Sequence, residues 1–153
     1  MHRIFLDANV LFSAAYRPGS GLTLLWNLEG VELLTSAYAA EEARRNLSEE
    51  SQRARLARLL AKVHIAGGTA AKALPPGVEL PVKDRPILIS AIVARASHLL
   101  TGDREHFGRY FGRRLGGVLV LPPSDYLAGR GLAPLSRARS SAGAGRPPTP
   151  PRS

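Results

Sequence analysis

The chain has no cysteine. Disulfides and thiolate metal sites are therefore excluded, which accords with a cytoplasmic location. No apolar run approaches the ~20 residues that a membrane-spanning helix needs, so no integral membrane protein is expected. The opening MHRIFLDANV is too short, and too soon interrupted by an acid, to read as a signal peptide. Lysine is scarce, at 3 of the 21 basic residues. Acidic residues are missing altogether from the last stretch, residues 129–153. That stretch has proline and arginine but few large apolar side chains. It cannot bury enough surface to offset its ordering entropy, and we expect a disordered basic tail.

What is present suits one folded domain over residues 1–128. The chain has 153 residues, 44% of them hydrophobic, enough to bury a core. The formal charge is +9. Arg130, Arg137, Arg139, Arg146 and Arg152 carry five of those charges, which leaves the folded body near +4. A basic balance favours a polyanionic partner, nucleic acid being the commonest. An arginine-rich compositional bias is the competing explanation, and the alanine, glycine and proline content suits it too.

The pattern alternates strands and helices. Arg3–Leu6 reads as a buried strand ending at Asp7, and Val10–Tyr16 as a helix. Ser20 is placed to cap a helix over Leu22–Leu28. Val31–Thr35 is a second strand, followed by a helix over Ala37–Leu47 capped by Ser36. Glu49–Lys62 carries a helical stripe of Leu56, Leu59, Leu60 and Val63. A short strand over Val63–Ala66 leads into a loop, Gly67–Pro81. A helix over Pro86–Ala96 and a strand over His98–Thr101 follow. Phe107–Gly117 reads as a basic, glycine-rich loop with a helical turn. Val118–Leu121 is a last strand and Pro123–Ala128 a last helix. Such alternation implies an α/β fold with a central, mostly parallel sheet and helices on both faces.

In these sheets functional residues collect beyond the carboxyl ends of the strands. Asp7 and Asp103 each follow a strand. Asp84 starts the helix that feeds the Asp103 strand. A helix of ~12 residues carries the chain roughly 18 Å away, and a strand of four or five residues brings it about 15 Å back. Asp84 and Asp103 should therefore meet at one sheet edge, with Asp7 beside them. On the helix after the second strand, Ala39, Ala43 and Leu47 form the apolar arc. Glu42 flanks that arc on the side of Asn46, whereas Glu41 points to solvent and suits an i,i+4 pair with Arg45. Each acid also has a plainer reading: Asp7 and Asp84 as helix caps, Asp103 as a turn residue, Glu42 as surface. Four inward acids need a counter-ion. Hard oxygen ligands favour Mg²⁺ or Mn²⁺, and a carboxylate-held divalent ion suits phosphodiester hydrolysis. Lys83 and Arg85, which bracket Asp84, and Arg104, Arg109, Arg113 and Arg114 are candidates for contacting nucleic acid. His106 reads as a substrate contact or as a local packing residue. His2, His64 and His98 read as surface or strand-edge residues.

The segments FLDANVLFSA, TSAYAAEEARRNL, KDRPILISAIVARASHLLTGDREHF and GGVLVLPPSDYL resemble those of PIN-domain ribonucleases. They are closest to the VapC-like toxins of type II toxin–antitoxin pairs. The resemblance spans residues 1 to about 128 and implies a PIN-like three-layer α/β/α fold that cleaves single-stranded RNA at an acidic Mg²⁺ or Mn²⁺ site. Asp7, Glu42, Asp84 and Asp103 match the four acids of the family in order. Asn9 and Thr101 match the small polar positions beside the first and the fourth. A cognate antitoxin and a homodimer, through Leu22–Leu28 or Leu56–Leu60, are implied as partners. The alternative is an RNA-binding or RNA-processing protein of the same fold with a vestigial site. A phosphatase of the haloacid-dehalogenase type would want an aspartate two residues after Asp7, where this chain has Asn9.

Overall fold

The computed structural model describes residues 1–67 and 73–132. The tail from 133 onward and the middle of the Gly67–Pro81 loop lie outside the described residues.

Strand β1 (His2–Leu6) is buried on both faces: Ile4 and Leu6 enter one core and Phe5 the other. Such two-sided burial is why it reads as one apolar run rather than an alternation. β2 (Val31–Ser36), β3 (His64–Ala66), β4 (His98–Leu100) and β6 (Val118–Leu121) lie parallel to it, and β5 (Arg114–Leu115) closes one edge antiparallel to β6. The sheet order is β3-β2-β1-β4-β6-β5. The chain thus winds outward from β1 to β3, then returns to lay β4 on the other side of β1. The β1–β4 seam is the switch point, where connections leave in opposite directions and open a crevice beyond the carboxyl ends.

Helices α1 (Ala8–Tyr16), α3 (Glu50–Leu60) and α6 (Pro123–Gly129) cover one face, packing on Ile4, Leu6, Leu33 and Leu100. Helices α4 (Arg85–Val93) and α5 (Arg104–Phe107) cover the other, on Phe5, Leu34, Leu99 and Val120. Helix α2 (Ala37–Asn46) gives Ala39 to one core and Ala43 to the other. The three-layer α/β/α architecture with a mostly parallel sheet is the one expected from the sequence.

Local differences have local causes. Ser20 does cap the segment after it, accepting from the Leu22 amide, but Gly21–Asn27 winds as a 3₁₀ helix instead of the expected α-helix. Its three-residue repeat keeps Leu22, Leu25 and Leu28 on the core side. Helix α4 ends at Val93, three residues early. Arg95 takes a left-handed conformation (φ 58°), and the Ala96 and Arg95 amides bond back to the carbonyls of Ala91 and Ile92. This is a Schellman ending without its usual glycine. β5 lies inside the stretch read as a loop. Gly116 and Gly117, both at positive φ, form the two-residue turn that pairs it with β6.

His98 is not a surface or edge residue. It is 9% exposed on a central strand, its ring centre 4.5 Å from that of His2 and 5.0 Å from that of Tyr126. Burial, reinforced by the charges of His2, Arg114 and Arg130, pushes its pKa down to about 4.

Arg95→Gly removes the left-handed strain and should raise stability by about 0.5–1 kcal/mol in urea denaturation. For His98 the unfolded chain binds the proton first, near its ordinary value, so stability is full above that value and falls as pH drops towards 4. The loss should reach up to about 3 kcal/mol. His98→Phe should abolish that contribution, measured as the difference in unfolding free energy between pH 7.5 and pH 4.5.

Candidate active site at the sheet switch point

Asp7 leaves β1 at the seam and caps α1. One carboxylate oxygen accepts the Ala8 amide at 2.6 Å. The other accepts the Thr101 hydroxyl at 2.8 Å and the Asn9 amide nitrogen at 3.2 Å. Thr101 extends β4, and its hydroxyl oxygen also accepts the Asp103 amide at 3.1 Å. The side-chain oxygen of Asn9 accepts the Gly102 amide at 2.8 Å. The ends of the two central strands are thus cross-tied by side chains. Asp103 in turn caps α5, accepting the His106 amide at 3.0 Å. Asp84 sits where a short 3₁₀ turn (Val82–Asp84) passes into α4, with Pro86 early in the helix.

These elements bring Asp7, Glu42, Asp84 and Asp103 around one open cleft of about 360 Å³. Ala8, Asn9, Phe12, Asn46 and Lys83 complete its lining. Among the described residues, none of the four acids is ion-paired to a lysine or arginine. Glu41, by contrast, lies outside, bonded to Arg44 at 2.7 Å. Its expected partner Arg45 is more distant, at 3.9 Å.

The cleft is electrostatically strained. Asp7 is 5% exposed, and burial pushes its pKa up to about 6. The Thr101 and Ala8 bonds resist that rise, while the charges of Asp84 and Glu42 add to it. Asp84 is also raised, first by burial; Lys83 opposes the rise, Asp103 adds to it, and His106 opposes it. Tyr38, at the rim, donates its hydroxyl to the Lys83 carbonyl at 2.7 Å. Its phenol is raised by burial and by the charges of Glu42 and Asp84.

His106 belongs to the site more closely than the sequence suggested. Its Nδ1 lies 2.9 Å from Asp103 Oδ2 in hydrogen-bond geometry. It lies 3.1 Å from Asp84 Oδ2, out of line for a bond. Asp84 Oδ2 is left buried with no hydrogen-bond partner. Asp84, Asp103 and His106 offer ligand atoms all within 4.8 Å of one another, so the group can hold a metal ion. The i,i+3 spacing of Asp103 and His106 on one helical turn is the signal that places the imidazole there.

Other expected contacts fall elsewhere. Thr101 is fully buried and touches Asp7 and the Asp103 amide, so it holds carboxylates and does not face a substrate. Arg85 turns its Nε to the Leu80 carbonyl at 3.0 Å and does not line the cleft. Arg104 is exposed at the start of α5, likewise outside the lining. Asn9 and Lys83 do line it. The sequence reading missed Phe12, which shares a helix face with Asn9 three residues earlier.

With its pKa raised, Asp7 costs the metal-free protein stability as pH rises through about 6, and costs nothing below its unfolded value. Asp7→Asn in EDTA should therefore raise the unfolding free energy at pH 8 by about 1–2 kcal/mol. The gain should shrink towards pH 4.5, as followed by urea denaturation at both pH values.

No protein-family model matches the chain, and no curated protein matches it. Among solved structures, it is similar to a chain in the crystal structure of VapBC2 from Rickettsia felis bound to a DNA fragment from their promoter. The TM-score is 0.59 at 16% sequence identity, over 78% of this chain and 98% of that one. At that identity the likeness is one of fold, and it is to the α/β fold that the sequence implied.

Proposed function

We propose that the chain is a divalent-metal-dependent endoribonuclease and the toxin member of a toxin–antitoxin pair. The observation that carries the nuclease reading is the convergence of Asp7, Glu42, Asp84 and Asp103 on one cleft at the switch point, with Asp84 Oδ2 buried and unpartnered. A hard cation fits that donor set, and Mg²⁺ or Mn²⁺ is the ion we assign to it. When bound, it supplies a Lewis acid for a phosphodiester oxygen and activates a water molecule. Asp84 and Asp103, with Asp7 and Glu42, would hold the ion. Thr101 and Asn9 fix the orientation of Asp7, and His106 fixes that of Asp103. Lys83, at the cleft mouth, is placed to draw an anionic phosphate towards an otherwise acidic pocket.

The toxin reading is supported by the likeness of fold to a chain in the VapBC2 complex. It implies a cognate antitoxin, a second copy of this chain as a dimer partner, and RNA as substrate in the cytoplasm. Among the described residues, no helix is long and apolar enough to cross a membrane.

The wild-type chain should cleave RNA in Mg²⁺, leaving 5′-phosphate and 3′-hydroxyl ends, and should be silent in EDTA. Asp103→Asn should lower the rate by about a hundredfold or more. Equal cleavage in all three conditions would sink the metal-nuclease reading. RNA binding without cleavage in any of them would favour a binding protein with a vestigial site. The toxin role is tested by expression: growth arrest that a small adjacent reading frame relieves supports it, and unimpaired growth with an active nuclease counts against it.

A further inference from the structure

Helix α1 carries more than the cap at its start. Asp7 fixes its amino end at the acidic cleft, and Phe12 lines that cleft a turn later. Tyr16, four residues further along the same face, stands with its ring centre 5.3 Å from that of Phe12, at an interplanar angle of 37°. The guanidinium of Arg17 lies 5.9 Å from the Tyr16 ring centre. Core packing accounts for Phe12, which rests against the apolar cluster under α1. It does not account for Tyr16, whose ring is held in place yet 47% exposed.

Charge changes along the same line. Arg55, on α3, bonds the Ala15 and Tyr16 carbonyls at 3.0 and 3.2 Å, which anchors a cation at the far end of α1. Among the described residues, neither Arg17 nor Arg55 is ion-paired to an acid. The surface therefore runs from carboxylates, past the half-buried Phe12 and the exposed Tyr16, to two arginines. Unpaired bases stack on aromatic faces and phosphates pair with cations; a duplex hides its base faces and cannot use such a strip.

We propose that Phe12 and Tyr16, with Arg17 and Arg55 beside them, form a stacking subsite for unpaired bases of a single-stranded RNA whose backbone enters the acidic cleft. The inference rests on the nuclease reading of that cleft and adds to it the direction in which substrate leaves. Tyr16 and Arg17 act by binding, so their loss weakens substrate affinity and leaves the carboxylate site in place.

The test uses the full chain and a single-stranded oligoribonucleotide of mixed sequence carrying 2-aminopurine. Fluorescence titrations are run in Ca²⁺ and in EDTA, with a fully paired duplex as control. The wild type should alter the 2-aminopurine signal on the single strand only. Tyr16→Ala should weaken binding about tenfold, Tyr16→Phe should restore it, and Phe12→Leu, which keeps the core contact, should weaken it by less. This pattern supports the subsite even if the cleavage assay fails, in which case only the nuclease reading falls. Undiminished affinity of Tyr16→Ala overturns the subsite, as does equal binding of the duplex. An active nuclease with no stacking signal overturns it as well. So does a Tyr16→Ala variant that turns a dimer into a monomer in sedimentation while binding RNA as before, since the strip would then be an interface between copies.

Discussion

The hydrogen bond of 2.8 Å from the Thr101 hydroxyl to the Asp7 carboxylate joins the ends of the two central strands. The site depends on it. β1 and β4 are neighbours in the sheet but 94 residues apart in the chain, and their connections leave in opposite directions. The same hydroxyl accepts the Asp103 amide, so one buried oxygen sets the positions of two of the four acids. Asn9 adds a second tie, from the first turn of α1 to Gly102. Asp7 is thereby held where little of it meets water, so that its charge is costly and its position well defined.

That cost is not met by the protein's own cations. His106 reaches Asp103 and Asp84, Lys83 stands at the mouth, and among the described residues no arginine lines the cleft. A fold selected for stability alone would place an arginine or an apolar residue at such a seam. Acids gathered in a cleft at a switch point without a lysine or arginine to pair with them are the form that a cation site takes when its ion is a ligand and not a side chain. Anything bound by the native state and not by the unfolded chain stabilises the native state. Under the proposed function, the carboxylates that weaken the metal-free fold would then be the groups that couple folding to metal.

Much of this was legible in the sequence because it follows from fixed geometry. Helix rise and strand rise alone bring Asp84 and Asp103 together, even though the helix is shorter than its sequence suggests. Helix α4 ends at Val93 instead of Ala96, but the Schellman ending at Arg95 still returns the chain to β4. The angle of 100° per residue separated Glu42 from Glu41, and the cleft lining separates them in the same way. The parts that were missed depend on tertiary neighbours. Nothing in the residues around His98 says that its strand is central, because that is fixed by β6 pairing beyond it. Thr101 was placed at the site, but its full burial follows from the oxygen of Asp7 that it serves. β5 did have a local signal, Gly116-Gly117 between apolar residues, which was absorbed into a stretch read as basic loop.

The two ends of the central strands respond oppositely to acid, and the reason lies in what each end buries. The amino end of β4 buries a neutral imidazole among His2, Tyr126 and Ser97. Acid forces a charge into that cluster. The carboxyl end of β1 buries a carboxylate, and acid removes a charge from it. Because the windows overlap, between about pH 4 and pH 6, the wild-type stability curve conceals both effects. The aromatic end can be rebuilt with apolar side chains at no loss to the site. The acidic end cannot, since the charge that destabilises it is the charge that any bound cation needs. Of the two strains built into the sheet, only the one at the switch point is of a kind that a bound cation would relieve.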